Sequence, residues 1–337
     1  MTVDVAYRGM QTAVLENEAL RISILLDKGA EIIEFLYKPL DIDFMYLAPW
    51  GVKNPRRDVP AAAIPDAGFL DYYSGGWQEI LPNGGPRVVV RGASYGQHGD
   101  VSLIPWSCRV TEDGPDRVAL ALSVRSPRTP LYLEKELSLE RGRAVLVIKE
   151  RLTNESPVPV DLMWGHHVAF GGVLIEPGVR IAAPAERLLA HDKIPGSGPR
   201  RLAPGQTSTW PYGRGPGGER VAMDVIPPVP AGGCEEMAYL SGLREGWYAV
   251  THPARRVGFA LRWDAALFPY LCFGSSSGEP RTIRGGEGCT PSRWSRGPAT
   301  RRTGSRRRSG AARSSRSKAA RRSKQASWRS CTKVLRP

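Results

Sequence analysis

The chain has 337 residues and a formal net charge of +14, but the positive charge is concentrated at one end. Residues 275–337 contain 18 Lys and Arg against two Glu, a net charge of +16, which leaves −2 for residues 1–274. The body of the chain is therefore slightly acidic. The overall charge does not by itself indicate a nucleic-acid-binding protein.

The cysteines and the apolar segments narrow the class of protein further. The five cysteines are odd in number, widely spaced and include no Cys-x-x-Cys pair of the kind that zinc sites use. No segment approaches the roughly 18 uninterrupted apolar residues of a membrane span, and the N-terminus lacks the basic and apolar regions of a signal peptide. We expect a cytoplasmic protein with free thiols and no membrane partner.

Alternating apolar and polar residues predict short strands along most of the chain. In chain order, the sequence predicts three strands within residues 11–37, followed by strands at 87–90, 101–104, 117–124, 131–139, 144–152, 160–164, 239–243, 247–251 and 257–263. Turn sequences such as Arg141-Gly142 separate them at spacings typical of an antiparallel sandwich or barrel. We expect one all-β domain over residues 1–272, with no long helix.

Beyond Cys272 the chain is dominated by Ser, Arg, Gly and Pro and has no apolar periodicity. This composition predicts a disordered, low-complexity tail over residues 273–337. If residues 290–312 are encoded by GC-rich synonymous codons, reading those codons in a frame shifted by one step gives T-L-A-L-E-P-W-S-S-Y-P-A-D-G-L-A-E-A-V-R-S-G. The same shift applied to residues 313–337 gives a string that ends in a strand-like pattern. We interpret the tail as a frameshifted terminus. A genuine nucleic-acid-binding arm is the alternative.

Three of the five histidines lie in two short segments, Gly96-Gln97-His98-Gly99-Asp100 and Trp164-Gly165-His166-His167-Val168-Ala169-Phe170. Imidazole exchanges a proton near neutral pH, so these segments predict a polar pocket with apolar walls. Neighbouring side chains on a strand point to opposite faces, and only one of His166 and His167 is therefore expected to reach the pocket. The alternative for each is a core histidine bonded to a backbone carbonyl.

Taken in order, these and other segments of residues 10–272 resemble the aldose 1-epimerase, or galactose mutarotase-like, superfamily. The similar segments are Gly75-Gly76-Trp77-Gln78-Glu79, Pro82-Asn83-Gly84-Gly85, His98-Gly99 with Pro105-Trp106, Asn154-Glu155-Ser156, Gly165-His166-His167-Val168-Ala169-Phe170 and Phe268-Pro269-Tyr270. In the shifted frame, L-A-L-E-P is similar to the segment that carries the catalytic glutamate of the family.

The resemblance implies a large twisted antiparallel β-sandwich that binds a small-molecule sugar and interconverts its α and β anomers without a cofactor or metal. It implies that His167 is the acid that protonates the ring oxygen and that His98 binds substrate hydroxyls. Further candidate substrate-binding or supporting residues are His166, Trp77, Gln78 and Asn83.

The chain as written departs from the family because the C-terminal general base is missing. We therefore expect an impaired 1-epimerase, and a carbohydrate-binding protein without turnover is the alternative. The expected partner is a sugar, with neither nucleic acid nor membrane, and the sequence indicates no particular oligomeric state.

Overall fold

The computed structural model describes residues 1–58, 67–193, 199–228, 234–277, 282–287 and 325–335. The first twelve strands are β1 (Thr2–Tyr7), β2 (Met10–Glu16), β3 (Leu20–Leu25), β4 (Glu31–Tyr37), β5 (Ile42–Asp43), β6 (Trp77–Ile80), β7 (Val88–Val90), β8 (Ala93–Tyr95), β9 (Ser107–Asp113), β10 (Arg117–Arg125), β11 (Leu131–Glu140) and β12 (Val145–Asn154). One short α-helix, α1 (Ala67–Tyr72), lies between β5 and β6.

The second half continues in strands. They are β13 (Gly165–Phe170), β14 (Arg180–Ala182), β15 (Arg187–Ala190), β16 (Thr207–Thr209), β17 (Tyr212–Arg214), β18 (Arg220–Ala222), β19 (Cys234–Ser241), β20 (Gly246–His252), β21 (Val257–Trp263), β22 (Leu271–Ser277), β23 (Thr282–Glu287) and β24 (Gln325–Leu335). Short 3-10 turns occupy Lys38–Leu40 and Gly172–Ile175. Within the described residues, no helix is long and apolar enough to cross a membrane.

The strands form two large antiparallel sheets. The first has the order β1-β2-β3-β4-β6-β13-β23-β22-β19-β15-β16, with β5 paired to β4, and the second has the order β14-β20-β21-β24-β12-β11-β10-β9. Two small hairpins, β7-β8 and β17-β18, stand apart from them. The predicted all-β class is confirmed.

The core lies between the two sheets. Phe259 of β21 in the second sheet contacts Phe35 of β4 and Phe170 of β13 in the first sheet, with ring centroids 5.4 and 4.9 Å apart. Burial alternates along strands such as β19, as expected where one face of a strand packs and the other does not. Each sheet thus covers the apolar face of the other, the arrangement that stabilises a β-sandwich.

Two of the predicted strands are wrong. Residues 101–104 form a turn. Two groups outside the turn bind its carbonyls: the Trp106 indole donates to the Val101 carbonyl at 2.9 Å, and the Gly29 amide donates to the Ile104 carbonyl at 2.8 Å. Residues 160–164 are not in a strand, and β13 begins only at Gly165. Both segments are apolar because they pack against the sandwich, which periodicity alone cannot distinguish from strand pairing.

The tail prediction needs correction for three segments beyond Cys272. The strand β22 continues to Ser277, β23 pairs with β13 and β22, and β24 lies between β12 and β21. Strands inside a sheet must have their backbone groups paired, and this pairing requires no particular side chain. The remainder of the tail lies outside the described residues, and the frameshift stays a prediction.

Gly99→Ala is expected to destabilise the fold more than Gly92→Ala, although both glycines have left-handed backbones, with φ of 78° and 85°. A Cβ at Gly99 would lie 2.0 Å from the Leu81 carbonyl oxygen, whereas nothing lies within 4 Å of one at Gly92. Both variants incur backbone strain of about 1–2 kcal/mol, and Gly99→Ala must also displace the backbone at Leu81. In urea denaturation, the free energy of unfolding of Gly99→Ala should be lower than that of Gly92→Ala by at least about 2 kcal/mol. Equal losses would contradict the prediction.

Candidate functional site

The structure brings together the two histidines that the sequence singled out as acid and sugar-binding residue. His98 belongs to the loop after β8, and His167 belongs to β13. Their ring centroids are 5.4 Å apart, with an angle of 45° between the planes. Both side chains are deeply buried, with 5% of His98 and none of His167 exposed. We call the region around the His98 and His167 side chains the histidine pocket.

A tight turn holds His98 in place. His98 has a positive φ of 56°, its backbone amide donates to the Gly85 carbonyl at 3.1 Å, and its Nδ1 lies 3.1 Å from the Gly84 carbonyl oxygen. A carbonyl oxygen only accepts hydrogen bonds, so Nδ1 must carry the proton. In the neutral imidazole, Nε2 is then an acceptor suited to a hydroxyl group.

Aromatic side chains form the wall of the pocket. The ring of Phe69, on α1, lies 4.5 Å from that of His98 and 6.1 Å from that of His167, in edge-to-face orientation. Tyr73 lies 5.3 Å from His167, again edge to face. Phe69 is itself only 3% exposed. The histidine pocket is therefore covered by an apolar ring.

The two adjacent histidines lie on opposite faces of β13. In the pairing of β13 with β6, His166 is opposite Glu79 and His167 is opposite Gln78. The side chains of Trp77 and His166 share the inner face, where the Trp77 indole donates to His166 Nδ1 at 2.9 Å. Trp77 and His166, named as substrate-binding or supporting candidates, thus lie in the sandwich interior, on the face opposite the one that carries His167. Of these two roles, the structure agrees with the supporting one.

The interior face holds a buried ionic network between the two sheets. Lys135 Nζ lies 2.5 Å from Glu79 Oε2 and 3.0 Å from Glu150 Oε1. His166 Nε2 lies 3.1 Å from Glu150 Oε2, and the Trp164 indole donates to Glu79 Oε1 at 2.5 Å. These contacts bind β6 and β13 of the first sheet to β11 and β12 of the second.

Charge balance in this network comes from Lys135. Each of Glu79, Glu150 and His166 offers one potential metal-ligand atom, and these three atoms lie within 4.8 Å of one another, a spacing that can hold a metal ion. The Lys135 ammonium contacts both carboxylates and supplies the positive charge there, so we describe the group as a salt-bridge network. Burial raises the pKa of Glu79, whereas Lys135 and His166 outweigh burial and lower the pKa of Glu150.

A second buried charged cluster, which sequence reasoning missed, adjoins the histidine pocket. Lys28 Nζ lies 2.5 Å from Glu31 Oε2 and 3.2 Å from Ser74 Oγ, and Gln78 Nε2 donates to Glu31 Oε1 at 3.3 Å. Lys28 and Glu31 have no exposed surface. Burial raises the pKa of Glu31, although the contacts with Lys28 and Gln78 oppose this effect.

The backbone explains why this cluster forms beside a double glycine. Gly76 has φ of 74°, and a Cβ there would lie 2.8 Å from Glu31 Oε1 and from the Ile32 carbonyl oxygen. Ile32 is paired with Trp77, which places Glu31 beside Gln78 and Gln78 beside His167 in one row across β4, β6 and β13. The signal in the sequence was therefore the glycine pair and not the charged residues.

The side-chain amide of Asn83 contacts the backbone of the loop between β6 and β9. Its Nδ2 lies within hydrogen-bond distance of the carbonyl oxygens of Gly85, Pro86 and Gly96, at 3.1, 2.9 and 2.8 Å. Its Oδ1 accepts from the Gly85 amide at 3.2 Å. Asn83 thus ties together the loop that carries His98, and its contact with a substrate stays a prediction.

The two facing sheets have the fold of a galactose mutarotase-like β-sandwich. The fold is similar to that of a Klebsiella pneumoniae protein provisionally assigned as an aldose 1-epimerase, with a TM-score of 0.66, 14% identity and coverage of 99% of this chain and 82% of that one. It is also similar to a galactose mutarotase related enzyme from Lactobacillus acidophilus, with a TM-score of 0.57, 13% identity and coverage of 96% and 97%.

A galactose mutarotase-like protein from Clostridium acetobutylicum has a TM-score of 0.56, 10% identity and coverage of 99% of this chain and 98% of that one. The chain belongs to the family described as "Domain of unknown function (DUF4432)", whose model matches residues 7–211. No curated protein matches it significantly. The fold that the sequence resemblance implied is confirmed.

Lys135→Met is expected to lower the free energy of unfolding by about 3–5 kcal/mol at neutral pH, because it leaves two buried carboxylates without their cation. The matched control is Lys149→Met, which removes a more exposed lysine paired with Glu136 and should cost at most about 1 kcal/mol. Chemical denaturation measures both.

The pH dependence of Lys135→Met provides a second check. Without the ammonium, the folded-state pKa of a buried carboxylate rises above its unfolded value. The folded protein then binds the proton more tightly, so the variant's stability is lost as pH rises and recovers as pH falls. A deficit that stays constant between neutral and mildly acidic pH would contradict the assigned role of Lys135.

Proposed function

We propose that the histidine pocket binds a small-molecule sugar and that the chain is an aldose 1-epimerase-like protein, which interconverts the α and β anomers of that sugar. The observation that carries this proposal is the close approach of His98 and His167, with ring centroids 5.4 Å apart against an aromatic wall. Opening a cyclic hemiacetal requires a proton donor at the ring oxygen and a group that removes the anomeric proton.

The two imidazoles suit different parts of this reaction. His167, at the centre of the first sheet, is assigned as the acid that protonates the ring oxygen and recovers its proton when the ring closes on the opposite face. His98 is assigned to a sugar hydroxyl, because the bond from its Nδ1 to the Gly84 carbonyl makes Nε2 an acceptor. The alternative is sugar binding by the same residues without turnover.

The general base implied by the family resemblance is missing from the chain as written. Loss of one acid or base group typically lowers a rate by about 10²–10⁴. We therefore propose slow exchange relative to an enzyme with a complete acid-base pair. A cytoplasmic location is also proposed, supported by Cys108, which is a free thiol.

His167→Gln is expected to reduce anomer exchange, measured by polarimetry with freshly dissolved α-glucose and α-galactose, by at least about 10² relative to the unaltered chain. His98→Gln is expected to raise KM, since it alters a hydroxyl contact. His191→Gln is the control and should leave the rate unchanged, because His191 contacts Tyr239 of β19, which lies three strands from β13 in the first sheet. Equal rates in His167→Gln and the unaltered chain would remove His167 from the mechanism. Calorimetry that detects sugar binding without exchange would favour the carbohydrate-binding alternative.

Phe69 lies against His98, with ring centroids 4.5 Å apart, and we propose that it moves when a sugar enters the histidine pocket. Phe69→Ala is therefore expected to tighten apparent sugar binding several-fold by increasing the fraction of open molecules, and to speed the modification of His98 by diethyl pyrocarbonate. Leu70→Ala is the matched control, since Leu70 lies on the same helix with 53% of its surface exposed. If both variants react alike, Phe69 is not the cover.

A further inference from the structure

The orientation of the Gln78 amide is determined by the buried pair behind it. Lys28 Nζ contacts Glu31 Oε2 at 2.5 Å, and this close cation favours the ionised carboxylate against the effect of burial, which raises the pKa of Glu31. An ionised carboxylate only accepts hydrogen bonds, and a lysine ammonium only donates them. Glu31 Oε1 can therefore be satisfied by Gln78 only if the amide turns its Nε2 towards β4, as in the observed contact of 3.3 Å.

The same constraint turns Gln78 Oε1 away from β4. Because β6 lies between β4 and β13, the amide oxygen is directed to the side of the row that carries His167, its direct cross-strand neighbour. Side chains at such paired positions have Cβ atoms about 4.5–5.5 Å apart. Gln78 is 2% exposed, and its Oε1 accepts no hydrogen bond from the described residues.

A buried acceptor without a donor costs about 1–3 kcal/mol, and a ligand hydroxyl beside His167 would remove that cost. We propose that Glu31, held by Lys28, is a positioning residue that fixes the Gln78 amide so that Gln78 Oε1 accepts a hydrogen bond from a sugar hydroxyl in the histidine pocket. This inference rests on the proposed function. It assigns the pocket a requirement for a hydroxyl donor at that point, so a sugar lacking the hydroxyl should bind less well.

The test exchanges the Glu31 carboxylate and the Gln78 amide within the full chain. Glu31→Gln places two amides side by side and releases the orientation of Gln78, which is expected to raise KM for galactose about 3–10-fold, with a smaller change in kcat. In the double variant Glu31→Gln/Gln78→Glu, the amide introduced on β4 donates to the carboxylate introduced on β6, whose second oxygen again faces His167. At neutral pH and above, the double variant is expected to restore KM to within about twofold of that of the unaltered chain, which a merely structural role would not predict.

Two further variants keep the test decisive if Glu31→Gln folds poorly. Gln78→Leu removes the acceptor, leaves the Lys28–Glu31 pair intact and is expected to raise KM at least as much as Glu31→Gln. Glu34→Gln is the control on β4, since Glu34 pairs with Arg21 near the surface, and should leave KM unchanged.

The outcomes separate this inference from the function on which it rests. An unaltered chain that neither binds nor exchanges galactose or glucose overturns the proposed function. An active chain whose KM is unaffected by Gln78→Leu and Glu31→Gln overturns the role of Gln78 and Glu31 alone. A double variant that binds galactose more weakly than Glu31→Gln also overturns it, because the exchanged pair should restore the acceptor.

Discussion

The alternation of side chains across β13 is the constraint on which the site depends. Two consecutive histidines on a strand must face opposite ways, so His166 enters the sandwich interior while His167 faces the histidine pocket. The same alternation on β6 sends Glu79 inward and Gln78 outward, directly opposite the histidines. These two strand segments thereby contribute residues both to the interior ionic network and to the polar row beside the pocket.

A buried lysine balances the acidic groups on each face of this strand pair. Inside, Lys135 balances Glu79 and Glu150, and on the pocket side Lys28 balances Glu31. Buried ion pairs contribute little net stability relative to apolar packing, but removing one partner is strongly destabilising. Their value here is geometric, because each pair holds a carboxylate beside a neighbouring polar residue, His166 on one face and Gln78 on the other.

Period-two patterns were sufficient to predict the class of fold and the separation of His166 from His167, because both follow from local strand geometry. They could not predict which face of β6 carries Trp77, since alternation fixes relative and not absolute orientation. Lys28 and Glu31 escaped detection because their environment depends on the register of β4 against β6, a non-local contact. The strands beyond Cys272 escaped for a related reason, because backbone pairing leaves no side-chain pattern in a Ser-rich and Arg-rich sequence.

Similarity of fold at 10–14% identity is physically reasonable for this architecture. Two facing sheets require only alternating apolar residues and well-placed turns, which many sequences satisfy. Function depends on a few side chains held at particular distances. The histidine pocket and the row from Glu31 through Gln78 to His167 are therefore stronger grounds for the proposed function than the sandwich itself, because a change of one residue in that row is expected to alter recognition while the sheets stay the same.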